Sequence, residues 1–224
     1  MPQAIWKGHI SFGLVSIPVA LYSAERRSDL SFHMLDSRNQ ARIRYERVNA
    51  ETGHEVPREF IVKGFEYDKG NYVVLDDEDF QNAAPEATRS IDIEQFVDLD
   101  AVSYLYFDRP YYLVPEDKGK GYVLLRDTLT AANKAGIAKV VLRNRQHLAA
   151  LIPQGDALVL NLLRFDQELR SADEFKLPSK APGEHKVSKR EQDMAAQLID
   201  AMTGAWHPEE YHDEYREALL DYIE

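Results

Sequence analysis

The chain has 224 residues, 44% of them hydrophobic and 29% charged, so it can bury a core and wholesale disorder is excluded. Lysine and arginine number 27 against 38 aspartates and glutamates, a net charge of −11 that, taken as an average, argues against a nucleic-acid partner. Cysteine is absent, which rules out disulfides, thiolate-held zinc, iron–sulfur clusters and thiol nucleophiles together.

The opening segment from Met1 to Tyr22 is apolar but is interrupted by Lys7, His9, Ser11, Gly13 and Ser16, so it forms no signal-peptide core. No other apolar run approaches bilayer-spanning length, and a soluble cytoplasmic protein without a membrane partner is expected. Ile10, Phe12 and Leu14 alternate with polar residues, after which the apolar set moves to Val15, Ile17, Val19 and Leu21. That change of parity around Gly13–Leu14–Val15 predicts a strand carrying a β-bulge, with Pro18 at a sheet edge or beside the bulge. Tyr72–Leu75, Val102–Phe107 and Tyr111–Val114 are aromatic and β-branched and predict strands. Val140–Leu142, Leu148–Ile152 and Ala157–Phe165 continue the pattern, with Pro153–Gly155 as a turn. Two helices interrupt it: an acidic one over Asp76–Ala84, stopped before Pro85, and one placing Tyr122, Leu125, Leu129 and Ala132 on a single face with Gly136 as its C-terminal cap. So many short strands predict a mainly β fold with some helix, a barrel or a sandwich.

Composition changes after Arg170. Residues 171–187, with Pro178, Pro182 and Gly183, read as a linker. Ser188 followed by Glu191 is a capping-box signature that opens a helix with the stripe Met194, Leu198, Ile199 and Met202, ending at Gly204. Pro208 is predicted to begin a last helix bearing Tyr211, Tyr215, Leu219 and Tyr222. Two such helices are too small to make a core of their own; they must pack on the barrel or on a second chain, most simply another copy.

The net charge conceals its distribution. Residues 1–70 carry ten lysines and arginines against nine carboxylates, residues 71–117 two against twelve, residues 118–170 nine against four, and residues 171–224 six against thirteen. Exposed charges more than about 8 Å apart are largely screened at physiological salt, so a basic surface can hold an anion while acidic ones face elsewhere.

Catalytic patterns are missing. The run Asp76, Asp77, Glu78, Asp79 resembles a two-metal nuclease cluster, but acidic residues also complement a helix N-terminus, and no histidine or lysine follows at a useful spacing. His207 and His212 are five apart, off the helical i,i+4 repeat, and no H-E-x-x-H or G-x-S-x-G pattern occurs. Gly119–Lys120–Gly121 lacks the spacing of a phosphate loop. One constellation remains: Arg38, Arg42, Arg44 and Arg47 interleaved with Ile43, Tyr45 and Val48. On a strand, Arg38, Gln40, Arg42 and Arg44 share a face opposite Ile43 and Tyr45, a line of guanidiniums about 6.6–6.8 Å apart suited to tracking a phosphate backbone; Arg47 falls on the other face. Charge that merely keeps a sheet edge soluble is the alternative. Lys63, Lys69, Arg26 and Arg27 flank the segment. A dimeric barrel holding a small ligand or another protein stays open on these grounds, as does a magnesium-dependent nuclease.

The residues also carry a resemblance. Ala4-Ile5-Trp6-Lys7-Gly8-His9-Ile10-Ser11-Phe12-Gly13-Leu14-Val15-Ser16-Ile17-Pro18-Val19 resembles the opening of the bacterial Ku proteins of non-homologous end joining. The likeness continues through Arg42-Ile43-Arg44-Tyr45-Glu46-Arg47-Val48, Phe107-Asp108-Arg109-Pro110-Tyr111-Tyr112-Leu113-Val114-Pro115 and Leu148-Ala149-Ala150-Leu151 to Tyr211-His212-Asp213-Glu214-Tyr215. It implies a β-barrel core over 1–170 with an extended bridge inserted at about 30–70, a linker over 171–187, and a C-terminal helical arm over 188–224. It further implies a homodimeric ring that threads onto double-stranded DNA ends at the nucleoid, independently of sequence, and recruits and stimulates the ATP-dependent DNA ligase D for double-strand break repair, with no catalytic step and no cofactor. By the same resemblance, Arg42 and Arg44 match basic bridge positions facing the DNA; Arg38, Arg47, Lys63 and Lys69 lie in the same bridge. The arm residues Trp206, Tyr211, Tyr215 and Leu219 are expected at the dimer interface. Some relatives have paired cysteines where this chain has Asn49 and Thr52, so no metal site is expected. Relatives also continue past Glu224, often with a basic tail, which makes the arm here an apparently truncated one.

Overall fold

The parity switch near the N-terminus is made by a turn, not by a bulge. In the computed structural model, which describes residues 2–26, 28–83, 89–178 and 185–223, β1 (Trp6–Phe12) and β2 (Val15–Ser23) form an antiparallel hairpin with Ile10 opposite Ile17 and Phe12 opposite Val15. Paired residues share a face, and a two-residue loop pairs every even position with an odd one, which is the observed switch. Gly13 holds φ 55 at the first loop position, where a type II′ hairpin turn asks for glycine. Pro18 is not at a sheet edge. It lies where β2 overruns its next neighbour: the pairing starts at Val19, and the Pro18 carbonyl accepts from the N–H of Glu116, so its missing N–H interrupts no ladder.

Five further strands, β5 (Ser90–Asp98), β6 (Phe107–Pro115), β7 (Lys134–Leu142), β8 (Arg145–Gln154) and β9 (Ala157–Leu163), complete a closed barrel in the order β1-β2-β6-β9-β8-β7-β5. Only the closing pair is parallel, with His9, Ile10 and Ser11 of β1 opposite Ser90, Ile91 and Asp92 of β5. Inward positions Ile10, Val19, Leu21, Ile91, Leu113, Val140, Leu151, Leu158 and Leu160 are fully buried, so the interior is a packed core, not a channel. Gly8 permits the closure. A Cβ there would collide with the carbonyl oxygen of Arg89 and with the Trp6 indole.

Three sequence expectations in the barrel fail. Val102–Phe107 is not a strand but a 3-10 turn over Tyr104–Tyr106, capped by the Ser103 hydroxyl, and β6 begins only at Phe107. Arg164, at the end of β9, holds that turn by donating to the carbonyls of Leu105 and Phe107 and to Asp108. Helix α2 (Lys120–Ala132) buries Tyr122, Leu125 and Leu129 as expected, but its cap is Asn133 in the left-handed region (φ 49), and Gly136 lies inside β7. The turn between β8 and β9 is Gly155–Asp156, with Pro153 still paired to Leu158.

The registers place both roots of the insertion at one end of the barrel. β2 finishes beside the start of β1, where Leu21 faces Trp6, and β5, parallel to β1, enters from that same end, its first residue Ser90 opposite His9 at the middle of β1. β6, β8 and the β7–β8 turn also begin there, whereas α2 occupies the opposite end, between the last residue of β6 and the first of β7.

The chain divides into two compact units, Met1–Arg27 with His33–Leu169, and Ser28–Phe32 with Arg170–Glu224. In the second unit, the stretch read as a linker starts with a 3-10 turn, Ala172–Glu174, closed by a Ser171–Glu174 capping box; Pro182 and Gly183 lie outside the described residues. α3 (Lys189–Met202) opens on the predicted box, Ser188 and Glu191 each accepting from the other's backbone N–H. The last helix starts later than Pro208. That residue opens a separate 3-10 turn, Pro208–Glu210, and α4 spans Glu214–Ile223. The segment Ser28–Phe32 is tied to α4 by Arg216, whose Nε donates to the Ser28 carbonyl at 2.9 Å. Met194, Leu198, Ile199, Met202, Trp206, Tyr211, Tyr215 and Tyr222 are all exposed.

Tyr122 fastens α2 to two strands at once: its hydroxyl donates to the Leu113 carbonyl at 2.8 Å and accepts from the Leu158 N–H at 2.6 Å. Tyr122→Phe keeps the ring but strands both groups, a loss of about 1–3 kcal/mol expected as a lower urea midpoint at constant m. Burial raises the Tyr122 hydroxyl above its ordinary value, against smaller opposing effects of the Leu158 N–H and Arg126. The stabilisation is therefore complete below about pH 10 and is lost as pH rises through the folded value. A urea series into the alkaline range is expected to show that part of the decline in the wild type and not in Tyr122→Phe.

Candidate nucleic-acid interface

Between the two strand roots the chain runs through an insertion with no interior. From His33 to Val74 only Asp36 and Val56 are even half-buried. Its order comes from short hairpins closed by side chains. In the first, Leu35 bridges Arg42, the N–H of Ile43 bonds to the Met34 carbonyl, and Gln40 takes φ 59 at the tip. In the second, Val48 bridges Glu55 and the Val56 N–H bonds to the Arg47 carbonyl; Asn49 Oδ1 accepts from the backbone N–H groups of Glu51 and Thr52, a side chain taking the place of a backbone turn partner. The third is β3 (Lys63–Asp68) paired with β4 (Asn71–Leu75).

The predicted line of guanidiniums is shorter than its sequence. Arg38 sits in the tip of the first hairpin, off the strand, and is clamped to Asp36 through Nε–Oδ1 (3.0 Å) and Nη2–Oδ2 (2.7 Å). That hydrogen-bonded pairing with Arg38 holds the Asp36 carboxyl below its ordinary value. Asp36 acquires this role because its carbonyl and N–H also close the loop, with Gln40 and Ala41. Arg42 and Arg44 lie two residues apart on extended chain beyond the bridge, and Arg47 follows at the base of the second hairpin. All three are exposed, and none makes an ion pair among the described residues.

The flanking cations separate. Lys63 is engaged by α1 (Asp77–Ala83): its ammonium lies 3.9 Å from Asp77 and 4.2 Å over the ring of Phe80. Lys69 stands at the exposed β3–β4 tip and Arg26 just beyond β2, while Arg27 lies outside the described residues. In α1, Asp76 and Asp79 accept from each other's backbone N–H, so two of the four carboxylates of the acidic run are occupied as a helix cap. Among the described residues no cluster of histidine and carboxylate side chains suits a metal ion, and no helix is long and apolar enough to cross a membrane.

Sequence reasoning missed Arg58, which opens a 3-10 turn (Arg58–Phe60) in the same insertion and makes no ion pair among the described residues; its place after Pro57 was the available signal. It also missed Arg109, Arg143 and Arg145, which the barrel brings together from β6 and the β7–β8 turn. The basic balance of residues 118–170 was the only hint for Arg143 and Arg145, and Arg109 lies within the acidic stretch 71–117.

The arm candidates share one unit. Trp206 and Tyr211 stack with ring centroids 5.1 Å apart, and Tyr215 is exposed. Leu219 is half-buried and lines a cavity of about 200 Å³ with Leu30 and Phe32, so its own chain already covers part of it.

Comparisons with known proteins agree with this architecture. A family profile described as the Ku70/Ku80 beta-barrel domain matches residues 11–194. The chain is 48% identical over 223 residues to a protein of Coxiella burnetii named non-homologous end joining protein Ku, covering 99% of this chain and 81% of that one. Proteins of the same name from Opitutus terrae (50% over 222 residues; 99% and 79%) and Pseudomonas aeruginosa (47% over 225; 100% and 76%) are similar along the same span. A closed barrel with an inserted extended bridge, helices at its C-terminus, and this likeness along nearly its whole length establish that the chain belongs to the Ku family.

Proposed function

We propose that this chain binds the ends of double-stranded DNA in non-homologous end joining, as a homodimeric ring with no catalytic step, and that it recruits and stimulates the ATP-dependent DNA ligase D at the break. The observation that carries the reading is the bridge. It projects from a Ku-family barrel, has no core, and presents Arg42, Arg44 and Arg47 without carboxylate partners among the described residues. A guanidinium is permanently charged and forked for phosphate oxygens, and contacts to the backbone position a protein without reading bases. Binding is therefore independent of sequence. Arg38 contributes less, because Asp36 already neutralises it. Lys63 acts mainly by holding β3 to α1, and Lys69, Arg26 and Arg58 add peripheral charge. Selection for ends is topological, since a duplex can enter a closed ring only where it terminates.

Dimerisation is supported by what the single chain leaves uncovered. The bridge exposes Ile43, Tyr45, Phe60, Val62, Phe65 and Tyr67, and the arm exposes the stripe on α3 together with Trp206, Tyr211 and Tyr215. Exposed apolar surface on this scale marks an interaction site, and a second copy supplies a matching one. The ligase role rests on family membership alone. The acidic balance of residues 71–117 and 171–224 disfavours DNA on the remaining surface, which supports a location at free ends within the nucleoid.

Arg42→Glu with Arg44→Glu is expected to weaken binding to all sequences alike and to flatten the plot of log affinity against log salt by roughly one unit for each phosphate no longer neutralised; a double variant with the parental slope would refute the bridge assignment. Linear duplex should outcompete a covalently closed circle of the same sequence in a filter-binding competition. Trp206→Ala with Tyr215→Ala should raise the dimer dissociation constant by at least about tenfold, since interfacial aromatics cost about 2 kcal/mol or more on truncation. A fully dimeric double variant in sedimentation would refute the role of the arm.

A further inference from the structure

At the barrel end where the bridge is rooted, a cleft of about 550 Å³ opens between the start of β1, the end of β2 and the β7–β8 turn, a volume in the range of small-ligand sites. Its floor is the barrel core itself, Tyr111, Leu142 and Leu162. Its wall carries Arg109, Arg143, Arg145 and His147 against one carboxylate, Glu25. The negative charge nearby is already used. Glu25 lies 3.8 Å from Arg109, Asp108 accepts from Arg164 at 2.9 Å, and Glu168 accepts from the Phe165 N–H at 2.7 Å. Arg143 and Arg145 make no ion pair among the described residues.

A second observation points the same way. Arg143 and Asn144 form the two-residue turn between β7 and β8, with φ 51 and 66. A turn of that kind needs the left-handed region at both positions and favours asparagine and glycine. Arginine at the first of them is backbone strain, and strain of this kind collects where a side chain is needed for binding.

We propose that this cleft binds a phosphomonoester, with Arg143 and Arg145 as its principal charge partners. A monoester carries about −1.5 to −2 charges at neutral pH, which matches two unpaired guanidiniums better than the single charge of a phosphodiester does. The closed floor admits a ligand end-on, which suits a terminal phosphate and not one within a continuous strand. Burial and the adjacent Arg145 hold His147 below its ordinary value, against smaller opposing effects of Asp108 and Glu168. The same chemistry is offered by the 5′-phosphate of a strand end, in which case the proposal rests on the end-binding reading above, and by free phosphate.

The test uses the full chain and two hairpin-blocked duplexes with a single open end, one 5′-phosphorylated and one 5′-hydroxyl, in fluorescence anisotropy. A second arm follows the melting temperature with added inorganic phosphate. If the source is the strand end, the wild type prefers the phosphorylated duplex about tenfold, the weight of one charge-assisted hydrogen bond, and both Arg143→Gly and Arg145→Gln reduce the ratio to one. If the source is free phosphate, no end preference appears, but inorganic phosphate stabilises the wild type and neither variant. The proposal is overturned if neither the end preference nor the stabilisation depends on these two arginines. Arg143→Gly relieves the turn and should melt no lower than the wild type, so its lost ratio does not report unfolding. Failure of the end-binding reading shows differently, as no binding of either duplex, and leaves the phosphate arm to decide the cleft.

Discussion

Everything in this molecule depends on how the barrel closes. β1 is shared by two neighbours of opposite sense, β2 antiparallel and β5 parallel, and that arrangement forces the chain between β2 and β5 to leave and return at one rim. A ribbon that buries nothing has no stability of its own and loses conformational entropy without a core to offset it. It holds a course because its roots are fixed on the two strands that flank β1 in a packed barrel, and because side chains such as Asp36 and Asn49 close its successive turns. Closure thus sets both the reach of the bridge and the end of the barrel it shares with the arginine-walled cleft.

Charge follows the same geometry. In the proposed reading an acidic chain holds DNA through guanidiniums on the insertion that have no ion pair among the described residues, while several carboxylates of the insertion and the rim are engaged in local pairs: Asp36 with Arg38, Asp77 with Lys63, Asp108 with Arg164. The net charge of −11 describes the molecule as a whole and predicts nothing about a surface only a Debye length across.

Much of the barrel was legible in the sequence, because alternation of apolar residues is a direct image of an inward face, and the capping box at Ser188 was readable because it needs only local residues. The failures share a cause. A parity change is produced equally by a bulge and by a two-residue turn, and only the pairing of Phe12 with Val15 separates them. Val102–Phe107 has strand-like residues, yet Arg164, some sixty positions away, holds it as a 3-10 turn. β5 went unread because a register shift between Ile93 and Gln95 breaks its alternation, and β3 because its alternation is confined to two aromatics, Phe65 and Tyr67, in six exposed residues. The arginines divided likewise: those of the bridge are adjacent in sequence and could be found by inspection, whereas Arg109, Arg143 and Arg145 become neighbours only when the barrel forms.

The amide of Asn49 has a consequence for chemistry under stress. This loop is tied by a neutral side chain to the backbone N–H groups of Glu51 and Thr52. With no cysteine in the chain, the closure of this turn rests on amide hydrogen bonds that peroxide does not attack, so its hold on the ribbon does not vary with the redox state of a thiol.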